Sequence, residues 1–464
     1  LTSPSTQDLP APAPARLTGT LVASTLIAAL GGFLFGFDTA VISGTTEALQ
    51  RVYGLGGFAL GFTVASALIG TVLGSLVAGR PADRFGRRAA LLAIAVLYFV
   101  SAIGCALAWD WASLLFFRFI GGIGVGGASV VSPLYVAEIS PARLRGRLVA
   151  VTQLNIVLGI LAAFFSNYWI AGFRLGEAEW RWMFGIEGLP AAAFFLLLFL
   201  TPQSPRWLVA RGRADEAAAV LARMGGDAAA VEAEVREIRR SLDLEHHRLA
   251  ESLFEPAYRR PVLLAIAIAA FNQLSGINAV LYYAPAVFRM AGAGHDAALL
   301  QSVLVGGCNL VFTLLAMALI DRFGRRRLMI VGSIGYIVTL ATAAWAFYRY
   351  GTAFDAFGSR VVLLSILGFI AAHAFGQGAV IWVFISEIFP NRVRARGQAL
   401  GSFTHWFMAA LISWTFPVIA GASGGHAFAF YAAMMVLQLL WVLKVMPETK
   451  GVPLEEIQKR LGIA

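Results

Sequence analysis

A chain of 464 residues that is 59% hydrophobic and only 13% charged, with a mean hydropathy of +0.75, cannot clothe a water-soluble surface in polar side chains. Its formal net charge of +10 would suit a nucleic-acid partner, but the cations gather in the loops between apolar runs, so the excess is a topology signal and that partner is excluded. The composition is that of a polytopic helical membrane protein whose first partner is the lipid bilayer.

Residues 1–20 are rich in Pro, Ala, Ser and Thr and lack the charged start and apolar middle of a secretory signal, so they read as a disordered tail. Apolar runs follow near 21–43, 59–79, 89–109, 113–137, 148–171 and 182–201, then near 261–288, 298–320, 328–350, 361–386, 397–420 and 426–446. Each can cross ~30 Å of hydrocarbon as a helix. The fold class expected is therefore an all-α membrane protein with twelve transmembrane helices in two six-helix halves, 21–205 and 261–446. A short cytoplasmic linker, 206–260, joins them, and a tail, 447–464, follows. Within the linker the Ala-, Glu-, Arg- and Leu-rich stretch Ala214–Leu249, punctuated by Gly225 and Gly226, predicts two or three short amphipathic helices. Cys105 and Cys308 both lie in apolar runs and read as small buried hydrophobes, neither a disulfide nor a metal site.

Most of the 36 Lys and Arg residues lie in the tail, in the loops after even-numbered spans and at the C-terminus. The other face carries Arg51, Arg174, Arg181, Arg289, Arg349 and Arg360, and Arg118 lies inside a span. Positive loops stay in the cytoplasm, so both termini are expected there, in a plasma (inner) membrane. The chain also repeats itself: DRFGRR occurs at Asp83–Arg88 and again at Asp321–Arg326, AEISP at Ala137–Pro141 returns as SEIFP at Ser386–Pro390, and PQSPR at Pro202–Arg206 has a looser counterpart in PETKG at Pro447–Gly451. Matching positions in two six-span halves imply duplication, and parallel repeats with a site between them imply alternating access.

The stretch Phe271–Pro285, FNQLSGINAVLYYAP, places Asn272, Gln273, Ser275, Gly276 and Asn278 near the middle of a membrane run, followed by Tyr282 and Tyr283. Lipid cannot solvate amides at that depth, so they face protein, water or a ligand. Amides offer donors and acceptors without charge, which suits a neutral polyhydroxylated ligand; helix-to-helix hydrogen bonding is the alternative use.

Three charges also lie inside spans. Asp38, Arg118 and Glu187 each fall about five residues from the outer end of a run, a common depth of roughly 7–8 Å that makes pairing plausible. A carboxylate that gains and loses an arginine partner can release and load a proton; a static salt bridge is the competing reading. On the cytoplasmic side, Asp83 and Arg84, Glu138, Asp321 and Arg322, and Glu387 recur in register, and they are expected to act as an ion-pair latch.

Taken together, GRPADRFGRR at Gly79–Arg88, RFIGGIGVG at Arg118–Gly126, YVAEISPARLRG at Tyr135–Gly146, PQSPRWL at Pro202–Leu208, QLSGIN at Gln273–Asn278, WVFISEIFP at Trp382–Pro390 and PETKG closely resemble the sugar porter family of the major facilitator superfamily, nearest its bacterial proton-coupled monosaccharide symporters. The resemblance covers about Leu21 to Gly451. It implies that sugar hydroxyls are bound by Gln153, Gln273, Asn278 and Asn309, with Trp382 covering a sugar ring face. Asn272 stands where many members have a second Gln, His405 beside Trp406 stands where an amide is common, and these three complete the expected substrate site. Gln203 replaces the Glu usual in PQSPR, which weakens one cytoplasmic contact. The resemblance also implies that Asp38 marks a symporter, since facilitators generally lack an acid there. The function expected is proton-coupled import of a hexose or pentose, by a monomer without a cofactor or bound metal. A facilitative uniporter and a transport-like sensor are the alternatives. With no nucleophile–base pair, metal-ligand cluster or phosphate loop, an enzyme is not expected.

Overall fold

The computed structural model describes residues 17–141, 143–246, 252–390, 393–452 and 454–463. The side chains of residues 243–246, of Asp321 and of several positions in Leu454–Leu461 lie outside that description, as does most of the expected tail, residues 1–16. Among the described residues all regular structure is helical, and 12 helical segments are long and apolar enough to cross a membrane. Spans 1 to 6 are Gly19–Gly44, Gly57–Val77, Arg87–Ala106, Trp111–Ile139, Arg145–Ala171 and Gly176–Leu198. Spans 7 to 12 are Pro256–Met290, His295–Ile320, Arg325–Tyr350, Ala356–Ile388, Arg394–Ala422 and Gly424–Lys444. The protein is thus a multi-pass membrane protein, and its outward-facing Leu, Phe and Val side chains, such as Phe58, Leu189 and Leu196, are solvated by lipid tails.

Local chemistry sets the ends. Asp110 caps span 4: its carboxylate accepts the Ser113 backbone N–H at 2.7 Å while the Ser113 hydroxyl caps back, and that backbone hydrogen bond holds the acid below its ordinary pKa. Inside the spans, small residues let backbones touch. A side chain on Gly122 or Gly126 of span 4 would strike carbonyls of span 2, and one on Gly36 or Gly159 would separate spans 1 and 5.

Three spans are broken, each at or beside a polar residue. Span 6 breaks at Glu187, between Glu179–Gly185 and Gly188–Leu198. Span 10 breaks at Gly376. Span 7 runs as Arg259–Leu274, Ile277–Tyr282 and Ala284–Met290, with Gly276 at φ 83°, a left-handed conformation that a side chain resists.

The apolar core has three parts, and their distribution defines the state of the molecule. One large cluster joins the halves, running from Phe37, Ile42 and Leu49 through Leu281, Phe288 and Trp406 to Phe416 and Phe428. A second belongs to the first half alone and includes Leu21, Tyr135, Ile139 and linker residues Leu208 and Ile238. A third belongs to the second half, with Leu264, Ile385, Phe389 and Ile457. The separate clusters lie toward the face bearing the termini. On the opposite face, the start of span 2 packs against the end of span 11, with Phe58 and Phe62 at 5.2 and 5.0 Å from the Trp414 ring. The halves therefore meet on the face away from the termini and part on the face that carries them.

The linker forms Pro205–Ala210, Ala214–Arg223 and Ala228–His246, strapped to the first half. Trp207 Nε1 donates to the Asp83 carbonyl at 3.0 Å and Arg145 pairs with Glu234 at 3.6 Å.

Gly276→Ala is expected to lower the unfolding midpoint of the purified protein. Alanine costs about 1–2 kcal/mol in the left-handed region, and its methyl would meet the Tyr431 ring. An unchanged midpoint would show that this break tolerates other backbone conformations.

Candidate functional site

Span 4 carries Arg118 into the interior of the first half, where its Nη1 sits 2.7 Å from Asp38 Oδ1 on span 1. Both side chains are shielded, with 1% and 6% exposed. The pair forms because spans 1 and 4 share the core of that half, and an ion in that medium needs a partner. Glu187, at the break in span 6, is also buried, and its Oε1 has no hydrogen-bond partner among the described residues. It lies within Coulomb range of both Asp38 and Arg118. The expected grouping of the three charges is thus present, as an ion pair with a second acid beside it. Two residues not expected from the sequence lie here: Phe184, whose ring lies 5.7 Å from the Arg118 guanidinium, and the buried Tyr98, whose hydroxyl has no partner among the described residues. A lone phenol in an apolar run was the available signal for Tyr98.

The amides lie mainly in the second half. Gln273 is fully buried, and its Nε2 donates to Asn272 Oδ1 at 3.0 Å. The same nitrogen lies 3.3 Å from each ring nitrogen of His405, on span 11, so the imidazole presents an acceptor to it. Gln273 Oε1 has no hydrogen-bond partner among the described residues. His405 in turn lies 5.2 Å from the Trp382 ring on span 10 and 4.8 Å from Trp406. Phe35 of span 1 packs edge-on against Trp406 at 5.4 Å, bringing the first half to the same place. Asn278, two residues beyond Gly276, is buried and makes no side-chain hydrogen bond among the described residues. Asn309 on span 8 is buried, and its oxygen lies 3.5 Å from the Thr313 hydroxyl. Gln153 is exposed on span 5.

The geometry therefore unites Asn272, Gln273, His405, Trp382 and Trp406 and sets Asn278 on the next segment. Asn309 and Gln153 are supplied by spans 8 and 5. Donors, acceptors and aromatic faces without net charge make a surface that can hold hydroxyl groups and cover the apolar face of a ring.

The repeated motifs form two matching clusters on the terminus-bearing face. In the first half, Arg87 pairs with Glu138 at 2.9 Å and with Asp83 at 2.9 Å, and Ser204 Oγ donates to Glu138. In the second, Arg325 pairs with Glu387 at 2.9 Å, and Thr449 Oγ1 donates to Glu387 at 2.6 Å. The last arginine of each DRFGRR is a cap: Arg88 donates to the carbonyls of Leu198 and Phe199, and Arg326 to those of Val442 and Leu443. Of the expected latch residues, Asp83, Glu138 and Glu387 take part, but the cations meeting them are Arg87 and Arg325. Arg84 instead lies over the Phe85 ring, and the Arg322 carbonyl accepts from Lys450 at 2.6 Å. Asp321's side chain lies outside the described residues. Gln203 Oε1 is buried without a partner, whereas its counterpart Glu448 accepts the backbone N–H groups of Arg325 and Arg326 at 3.0 and 3.1 Å.

Comparison with known proteins adds an independent line. The family model described as "Sugar (and other) transporter" matches residues 24–461. The chain is 40% identical to the D-xylose-proton symporter of Escherichia coli (strain K12), over 94% of each chain. It is 38% identical to the arabinose-proton symporter of Bacillus subtilis (strain 168), over 95% of each. The inward open conformation of the xylose transporter XylE from E. coli superposes with a TM-score of 0.84 at 39% identity, covering 95% of this chain and 99% of that one.

Because Asp38 and Arg118 are buried together, Arg118→Leu is expected to cost the fold about 3–5 kcal/mol by leaving buried acid without its cation. Adding Asp38→Leu is expected to restore most of the loss. Thermal unfolding of both variants and the parent in one detergent measures the coupling, and additive losses would show that the side chains do not pair.

Proposed function

The chain belongs to the sugar (and other) transporter family, and from that premise we propose that it is a proton-coupled monosaccharide symporter that imports a pentose or hexose by alternating access. The observation that carries the proton half of this reading is the buried Asp38–Arg118 pair with the unpartnered Glu187 beside it. The bulk of the Lys and Arg residues supports a cytoplasmic position for the terminus-bearing face of a plasma-membrane protein, so the halves part toward the cytoplasm in this state.

Sugar hydroxyls exchange hydrogen bonds with Gln273, Asn272, Asn278, Asn309 and Gln153, His405 adds an acceptor, and Trp382 and Trp406 cover the ring. Gln273 Oε1 supports this assignment, as a buried acceptor left unused among the described residues. Asp38 takes up a proton when Arg118 is drawn away and releases it when the guanidinium returns; Glu187 offers Arg118 a second anion between those positions. Sugar sits on segments of span 7 that pack against span 1, so closing around sugar moves the helix that bears Asp38. At the cytoplasmic ends, the Arg87–Glu138 and Arg325–Glu387 clusters, with Asp83, Arg84, Asp321 and Arg322, form the latch. Here both pairs lie within their own halves, and in the outward-facing state the two clusters close on one another.

Gln273→Ala or Asn278→Ala is expected to weaken sugar binding about tenfold in folded protein, since a hydrogen bond to a buried ligand is worth ~1–1.5 kcal/mol. Near-parental affinity in both variants would move the site elsewhere. Asp38→Asn is expected to keep sugar binding and counterflow but to lose accumulation driven by a pH gradient. If that variant still concentrates sugar when a proton gradient is imposed, Asp38 is not the coupling residue.

A further inference from the structure

The outer face carries a set of charges that neither the sugar site nor the proton site uses. Glu47, on the helix Thr46–Tyr53 after span 1, pairs with Arg289 at the end of span 7. His295, the first residue of span 8, has Nδ1 3.9 Å from Glu47 and Nε2 3.5 Å from Glu179 at the start of span 6. Every one of these contacts crosses between the halves, and they line the rim where the halves meet.

We propose that Glu47, Glu179, Arg289 and His295 are positioning residues for the transport cycle, an ionic clasp that holds the outer mouth shut and grips harder when His295 is protonated. The geometry demands a charge-dependent grip. A neutral imidazole has one N–H and one lone pair, so with a carboxylate facing each ring nitrogen it can serve only one of them. The imidazolium serves both, and histidine changes charge in the range an external medium spans. The groups facing His295 are Glu47 and Arg51 from the helix after span 1, Glu177 and Glu179 from the start of span 6, and Arg289 from span 7. Asp296, its neighbour on span 8, is turned to Arg174 at 3.5 Å. Arg289 already answers Glu47, so acid outnumbers cation around the imidazole. His295, Glu47, Glu177, Glu179 and Arg51 border a cavity of about 300 Å³. His295 keeps 44% of its side chain exposed, so outside protons reach it.

The assignment of this face as outer rests on the transport reading, whereas the clasp rests on contacts in this structure. Its test is a distance measured without sugar or gradient, so either reading can fail alone. Spin labels at Leu107→Cys, just after span 3, and Leu300→Cys on span 8, both exposed, report the outer separation in full-length reconstituted protein with Cys308→Ala. The closed-to-open ratio of the parent divided by that of His295→Gln is expected to be near one at pH 8. At pH 5.5 it is expected to rise about two- to fivefold, the range an exposed ion pair supplies. Comparing variant with parent at each pH cancels titration of Asp38 and Glu187. Glu47→Arg and Arg289→Glu should each lower the closed share, and the two together should recover it. A parent-to-variant ratio that does not change with pH, or charge reversals that leave the closed share unchanged, would overturn the clasp.

Discussion

Hydrocarbon offers no hydrogen bonds, and that single constraint governs this molecule. Helices close nearly all of their own backbone groups, so a break within a span must be answered by protein or lie beside a water-filled space. The three broken spans obey this rule. At the span 7 break, Gly276 N–H returns to the Gln273 carbonyl at 2.9 Å, and the Ser275 hydroxyl bonds the Asn272 carbonyl at 2.6 Å. Beside the span 10 break, Gln377 donates to Gln438 and Gln438 to Ser333 at 2.8 Å, tying spans 9, 10 and 12. The span 6 break holds Glu187. The places where the fold departs from continuous helix are also where it places polar chemistry, because only there does the backbone itself need polar surroundings.

Duplication supplied one solution to a second problem, how to finish six spans at the face that bears the termini, and the chain applies it twice. Arg87–Glu138–Ser204 and Arg325–Glu387–Thr449 are the same construction, and Arg88 and Arg326 satisfy the carbonyls that end spans 6 and 12. Gly86 and Gly324, at φ 95° and 86°, turn the chain alike before each cluster. The copies differ at Gln203 and Glu448. A carboxylate binds the N–H groups at the start of span 9 more strongly than a neutral amide can bind those of span 3, so the second half is the more firmly tied at this corner.

Inside the membrane the halves have diverged. The first carries a buried ion pair and an extra acid; the second carries amides, histidine and indoles. Charge buried in a low-dielectric medium responds to protons, and neutral donors and acceptors respond to hydroxyl groups, so the two halves are suited to different cargo. Phe35 against Trp406, and the shared core on the face away from the termini, join them. A rearrangement that separates the halves on one face must disturb both chemistries, which is the physical basis for coupling.

Much of this was legible in the residues. Run length and the absence of charge dictated the spans, because the thickness of hydrocarbon sets the length of a helix that crosses it. The repeated motifs dictated two like halves, and polar residues stranded in apolar runs marked Asp38, Arg118, Glu187 and the Asn272–Asn278 stretch, since such residues are too costly to occur there without use. Partnership was decided only by the tertiary structure. Within DRFGRR nothing local distinguishes Arg84 from Arg87, yet helical position turns Arg87 toward Glu138 and leaves Arg84 over Phe85. His405 meets Gln273 across more than a hundred residues, and His295 stands between two acids of the other half, contacts that require the packing of distant helices. Which face is closed was likewise invisible in the chain, because one sequence serves every state of the cycle and only the placement of the shared core distinguishes them.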